Sequence, residues 1–195
     1  VNAQLQEPWA AEAILESVSQ ARHLHLAFPI GSGLADVLLD RAKKAGCTTS
    51  LDVGHQPEWL LDPANRITGA RLDYLLPNER EANILVGGDA YDYIRYTETH
   101  SWPSGVVKLG AHGALMRDRT GTVRVPACTV ETVDTTGAGD AFDAGFIDGL
   151  LDGETSEECL RRGCICGSLS TRAPGALNGL PGRQDFARCY EETYG

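Results

Sequence analysis

The run Asp134-Thr-Thr-Gly-Ala-Gly-Asp140 sets two carboxylates around a Gly-Ala-Gly stretch. It leads into a small-residue helical segment, Ala141-Phe-Asp-Ala-Gly-Phe-Ile-Asp-Gly-Leu150. Small residues at a helix start leave backbone N–H groups uncovered, where the helix field attracts an anion. A carboxylate in the same first turn is suited to take a proton beside that anion. The combination suggests group transfer with charge building at the helix start, above all transfer of a phosphoryl group to a hydroxyl.

Asp140 is the candidate general base. The plain alternative is a first-turn acid that only complements the helix field. Gly137, Ala138 and Gly139 are the candidate anion-hole donors, and a larger group at 139 is expected to crowd the ligand. A tight loop needing positive φ competes with that reading. Asp134 and Thr136 are candidates to offer a carboxylate and a carbonyl to a monovalent cation, or to form a simple Asx turn.

Asn78 and Glu81 stand three apart at a helix opening. They read either as a capping pair or as organisers of water and magnesium near nucleotide phosphates. Lys108-Leu-Gly-Ala-His-Gly113 follows an apolar strand. Gly110 and Gly113 would let a nucleotide lie close to the backbone, and Lys108 reads as a phosphate or ribose contact or a solvated strand-end lysine. His112 reads as exposed loop. The carbonyls of Thr171 to Ala176 either complete the cation site or mark a helix exit. His23 and His25 share a strand face with no third ligand, which argues against a metal. Trp9, Trp59 and Trp102 read as packing or rim residues. The chain has no GxxxxGK[ST] phosphate loop.

Alternating apolar patterns must position these groups. Strands are expected at His23–Ala27, Cys47–Val53, Arg71–Leu76, Gly105–Leu109 and Thr122–Val125, with Ala114 to Arg117 leading out of the turn between Gly110 and Gly113. Helices are expected over Trp9–Gln20 (Trp9, Ala13 and Ile14 inward), 32–45 (Leu34, Val37, Leu38 and Ala42 inward), 78–86, 138–151, 156–171 and 184–192. Pro57 to Arg66 reads as loop with one short helix. Successive strand–helix units favour a parallel sheet covered by helices, with ligands beyond the carboxyl ends of the strands. Asp52, Asn78, Lys108 and Gly110 all fall at or just past such ends.

The 195-residue chain carries 17 Lys and Arg against 27 Asp and Glu, a formal charge of −10. With no basic stripe, a nucleic-acid backbone is an unfavourable partner. No apolar run approaches the roughly 18 residues of a membrane span, and no secretory signal is evident. The six cysteines match no zinc pattern or disulfide framework and are expected as reduced thiols in a cytoplasmic protein.

The chain resembles the ribokinase-like, or PfkB, family of carbohydrate and nucleoside kinases. Asp134-Thr-Thr-Gly-Ala-Gly-Asp-Ala-Phe-Asp-Ala-Gly145 is similar to the family's C-terminal signature. Asn78-Glu-Arg-Glu81 resembles its Asn-x-x-Glu motif, and Val107 to Ala114 its nucleotide-side strand and loop. The resemblance implies a three-layer α/β/α fold with a largely parallel sheet, spanning 1–195 as one partial kinase domain. It implies transfer of the ATP γ-phosphoryl group to a hydroxyl of a sugar or sugar acid. Asp140 is then the base, and Gly137, Ala138 and Gly139 the anion hole. Asn78 and Glu81 serve Mg2+ and phosphate, and Gly110 and Gly113 the nucleotide. K+ near Asp134 and Thr136 is an expectation of the family. Lys108 departs from the small hydroxyl residue common at its position. The family's early strands, β lid and sugar-binding Gly-Gly motif are not recognisable, so the chain reads as N-terminally truncated. A homodimer or a complementing chain is expected to cover an exposed edge. A non-catalytic nucleotide-binding module and a nucleoside or vitamin kinase are the competing readings.

Overall fold

Six short strands form one sheet: β1 (His23–Leu26), β2 (Thr48–Leu51), β3 (Tyr74–Leu75), β4 (Ser104–Lys108), β5 (Ala114–Asp118) and β6 (Gly121–Val125), neighbouring one another in chain order. The computed structural model describes residues 8–54, 56–100, 102–118 and 121–195. Strands β1 to β4 pair in parallel, with Leu26 opposite Leu51 and Leu51 opposite Leu75. Strands β4, β5 and β6 pair antiparallel. The sheet is mostly parallel, as expected, and turns antiparallel after β4 for a reason of length. The segment Leu109 to Gly113 between β4 and β5 is too short for the crossover a parallel neighbour requires.

Helices cover both faces. On one side lie α1 (Pro8–Gln20), α2 (Ser32–Ala45), α3 (Pro63–Gly69), α4 (Glu79–Val86) and α5 (Ala90–Thr99). On the other lie α6 (Ala138–Asp152), α7 (Ser156–Ser170) and α8 (Arg183–Tyr194). Strand alternation divides the core between the layers. Val107 and Leu115 pack with Leu85, Tyr93 and Ile94 on the first face. Val106 and Met116 pack with Phe142, Phe146 and Leu160 on the second.

The pair α6 and α7 holds the signature helix in place. A Cβ on Gly145 would stand 2.6 Å from the Arg162 carbonyl oxygen, and one on Gly149 would stand 2.9 Å from the Cys159 Cα. The two backbones meet there with no room for a side chain. Arg162 clamps the far end of α6 through Asp148 at 2.8 Å and Asp152 at 2.7 Å.

Several sequence expectations need correction. Helix α5 stands where no element was expected. Its start is a reciprocal cap: Asp92 N–H donates to the Asp89 carboxylate and Asp89 N–H to that of Asp92, both at 2.9 Å. Val37 is 49% exposed, and the inward face of α2 is Ala35, Leu38, Leu39 and Ala42. On α1, Ala13 is exposed and Val18 is buried; the Trp9 side chain lies outside the described residues. Cys128 and Cys189 come together as a disulfide, against the expectation of six reduced thiols, while Cys47, Cys159, Cys164 and Cys166 are free. Trp59 and Trp102 pack against the first core cluster as expected.

Candidate active site

The parallel pairing brings Asp52, Asn78 and Lys108 to one rim. Asp52 follows β2, where its N–H donates to the Leu26 carbonyl at 2.9 Å. Lys108 ends β4, and its N–H donates to the Pro77 carbonyl at 2.9 Å, which seats Asn78 beside it. The first turn of α6 faces the same rim. Among the described residues, the nearest atoms of other elements to a Cβ placed on Gly139 are Lys108 Nζ, at 3.5 Å, and Asp52 Oδ2, at 3.8 Å.

The start of α6 has the form an anion site needs. Gly137 is the N-cap residue with φ of 77°, and no side chain caps the helix. Its Cβ would strike the Ala176 Cβ at 2.7 Å, so position 137 requires glycine both for its backbone and for its neighbour. Ala138 N–H donates to the Thr135 carbonyl at 3.1 Å. That engages one of the three expected donors within the loop. Asp140 lies exposed in the first helical turn.

Beneath this turn lies a buried charge triad that sequence reading did not find. Lys108 Nζ donates to Asp52 Oδ2 at 2.8 Å and to Asp143 Oδ1 at 3.1 Å. The side chains are 11%, 10% and 1% exposed respectively. Burial drives the Asp143 carboxyl well above the usual carboxylate range, against the pull of Lys108. Burial alone would also raise Asp52, but Lys108 and the hydrogen bonds from Lys108, Asp143 and the Gly54 N–H bring it below its ordinary value. Burial would lower Lys108, but the two acids outweigh it and hold the ammonium charged. The three titrate as one coupled unit.

The two strand histidines extend this polar chain. Ser50 Oγ lies 2.8 Å from both His23 Nε2 and His25 Nδ1, and His23 Nδ1 lies 2.8 Å from Thr48 Oγ1. His25 Nε2 is 3.8 Å from Asp143. Burial pulls His25 below the usual imidazole range, opposed by Asp52 and Asp140. Both rings are thus engaged by β2 and α6.

Asn78 and Glu81 form the capping pair. Asn78 N–H donates to Glu81 Oε2 at 2.9 Å, Asn78 Nδ2 to Glu81 Oε1 at 2.8 Å, and Glu81 N–H to Asn78 Oδ1 at 3.0 Å. Glu81 is 4% exposed. Asp134 forms the Asx-type turn, accepting from Thr136 N–H at 2.9 Å and Thr136 Oγ1 at 2.7 Å. Its other oxygen accepts the Gly175 N–H at 2.7 Å. The Thr171 carbonyl accepts the N–H groups of Val133 and Asp134, so this helix exit is tied to the loop before α6. Gly110 has φ of 57° and open space around its Cβ position. Gly113 differs: a Cβ there would stand 1.9 Å from the Val125 carbonyl oxygen, so its glycine serves chain packing against β6. His112 is exposed, as expected.

A cavity of about 590 Å³ opens at the other ends of β3 and β4, beside Tyr74, Ser104 and Arg117. The chemistry-bearing rim is distinct from it and open. Among the described residues, no group of three His, Cys, Asp or Glu side chains is arranged to hold a metal. Among them also, no helix is long and apolar enough to cross a membrane.

A mostly parallel sheet between two helical layers, with a polar rim at the carboxyl ends of its strands, defines the architecture, and comparison with known proteins gives its family. The chain belongs to the pfkB family of carbohydrate kinases, whose profile matches residues 2–183. It is 32% identical over 157 residues to the 2-dehydro-3-deoxygluconokinase of Bacillus subtilis, covering 77% of this chain and 48% of that one. The structure of Arabidopsis thaliana ribokinase, complexed with ribose and ATP, superposes with a TM-score of 0.80 at 28% identity, covering 91% of this chain and 58% of that one. An E. coli protein named ribokinase II, in complex with ATP and Mg2+, shares the fold with a TM-score of 0.78 at 21% identity, covering 91% and 61% of the two chains. The chain spans about half the length of the curated relatives it matches.

Proposed function

We propose that this chain is the nucleotide-binding and catalytic part of a sugar kinase. It moves the ATP γ-phosphoryl group to a hydroxyl of a sugar or sugar acid, with Asp140 as general base and residues 137–139 as the anion hole. One observation carries the reading: an exposed carboxylate in the first turn of a helix whose glycine N-cap carries no side-chain cap. The backbone N–H groups there are fixed before any ligand arrives, so they stabilise developing phosphoryl charge with no reorganisation. Asp140 accepts the acceptor hydroxyl's proton as attack proceeds.

Gly110, with open space above it, leaves the nucleotide a close approach to the backbone. Glu81 and Asn78 fit Mg2+ as outer partners, because the capping pair holds the carboxylate at the rim beside Lys108. When bound there, Mg2+ would supply positive charge to offset that of the phosphates. K+ stays a family expectation. Both Asp134 oxygens already accept donors, and no step depends on that ion. A cytoplasmic setting belongs to the same reading, and the Cys128–Cys189 pairing is the feature that pulls against it.

The decisive experiment compares the chain with Asp140→Asn for ATP- and Mg2+-dependent phosphorylation across a panel of ribose, fructose and 2-keto-3-deoxygluconate. The variant should fold, since position 140 is exposed, and should lose about 10²- to 10⁴-fold in rate. Equal rates reject Asp140 as base. Coverage of about half of each relative favours a second reading, a module that binds nucleotide and needs a homodimer partner or complementing chain for turnover. Calorimetric ATP binding without transfer to any acceptor supports that reading, and robust transfer removes it. Extending the panel to nucleosides and vitamins tests the remaining acceptor classes.

A further inference from the structure

The Lys108 ammonium lies under the anion-hole turn, yet its hydrogen bonds run to Asp52 and Asp143 and not toward the open rim. Position 139 looks onto the Lys108–Asp52 pair, whose Nζ and Oδ2 are the nearest atoms of other elements to its Cβ site. Asp140 and His25 complete the charged and titratable groups facing this point from α6 and β1. Asp52, Asp143 and His25 each feel the field of Lys108. Without Lys108, a polyphosphate at the α6 start would meet the uncompensated Asp52 carboxylate beneath Gly139.

We propose that Lys108 is a positioning residue that neutralises Asp52 beneath Gly139 and so lets the first turn of α6 accept a polyphosphate, without itself touching the nucleotide. The inference rests on the kinase reading for the location of the phosphates, and goes beyond it in giving Lys108 a role through Asp52. Asp143 fixes the ammonium from below. When Lys108 is removed, Asp143, already driven upward by burial, holds its proton, and Asp52 is left as the bare charge.

The test titrates the chain with inorganic tripolyphosphate, free of magnesium, in a calorimeter, with adenosine as the uncharged control. Lys108→Met should weaken tripolyphosphate binding by about 10- to 100-fold and leave adenosine unchanged. Adding Asp52→Asn to Lys108→Met should restore most of the loss, because the uncompensated charge is gone. A direct phosphate contact or a merely structural lysine predicts no recovery, and that result overturns the proposal. If Lys108→Met does not fold, Asp52→Asn alone decides. It should tighten tripolyphosphate binding, and unchanged or weaker binding overturns the proposal. A wild-type chain that binds tripolyphosphate but never transfers phosphoryl from ATP overturns the kinase reading and leaves this inference standing. A wild-type chain that binds no tripolyphosphate overturns this inference.

Discussion

The Asp134 carboxylate accepts the Gly175 N–H at 2.7 Å, joining residues 41 apart in the chain. With the Thr171 carbonyl holding the N–H groups of Val133 and Asp134, it makes one body of the loop before α6 and the loop after α7. The position of Gly137, pressed against Ala176, follows from that join.

Asp134→Ala should therefore lower the melting temperature and weaken ATP binding together. The Gly175 N–H, then the Thr136 donors, hold the Asp134 carboxyl below its ordinary value. A depressed folded-state pKa means the unfolded chain takes the proton first on acidification. The contribution is whole above about pH 4 and is lost as pH falls through the depressed value. Melts of both proteins from about pH 7 to about pH 2 should show the gap closing only at the acid end. A gap of constant size would exclude the carboxylate's charge as its source.

The paired strand histidines act in a different window. Burial, then the neighbouring His25, pulls His23 down to about 4. The folded chain thus refuses a proton that the unfolded chain accepts near pH 6.5. Stability should fall on acidification from about 6.5 toward 4, and His23→Gln should flatten that slope. Denaturant midpoints at two pH values in the window check this.

Gly110 and Gly113 should separate sharply. Gly110→Ala meets open space and carries only the left-handed backbone cost, about 1–2 kcal/mol. Gly113→Ala drives a methyl into the Val125 carbonyl and should prevent β6 from docking. Chemical denaturation and soluble yield measure the contrast. Similar behaviour would mean that the turn between β4 and β5 is placed differently.

Glu81→Ala should remove the reciprocal half of the α4 cap, leaving Asn78 Oδ1 on the residue-81 N–H, and destabilise the chain by about 1 kcal/mol for the hydrogen bonds lost. Glu81→Gln keeps one acceptor where Asn78 presents two donors, so it should melt between Glu81→Ala and wild type. If Glu81 also organises Mg2+, the glutamine variant, assayed at a temperature where it is fully folded, needs more Mg2+ for half-maximal turnover. A Mg2+ titration identical to wild type would confine Glu81 to its structural role.

Periodicity made most strands and helices legible, because burial on one face writes itself into spacing. Helix α5 was not, since Ala90–Thr99 is rich in β-branched, aromatic and charged residues. Its signal was the Asp89 and Asp92 cap. The antiparallel turn of the sheet after β4 was readable from the short loop between Gly110 and Gly113, but the preceding strand–helix repeats suggested otherwise. The roles of Gly113 and Asp134 were not readable, because both are defined by atoms far along the chain, Val125 and Gly175.

What the residues alone determined is local: a glycine-capped helix start bearing Asp140, a cap at Asn78, and enough alternation to build a sheet between helices. The tertiary structure decided which charges share a buried space. Lys108, Asp52 and Asp143 come from β4, the end of β2 and α6, and they meet only when parallel pairing and the close approach of α6 to α7 bring those three places together. No sequence spacing encodes that meeting, because Coulomb energy depends on distance and desolvation, and both are fixed by packing.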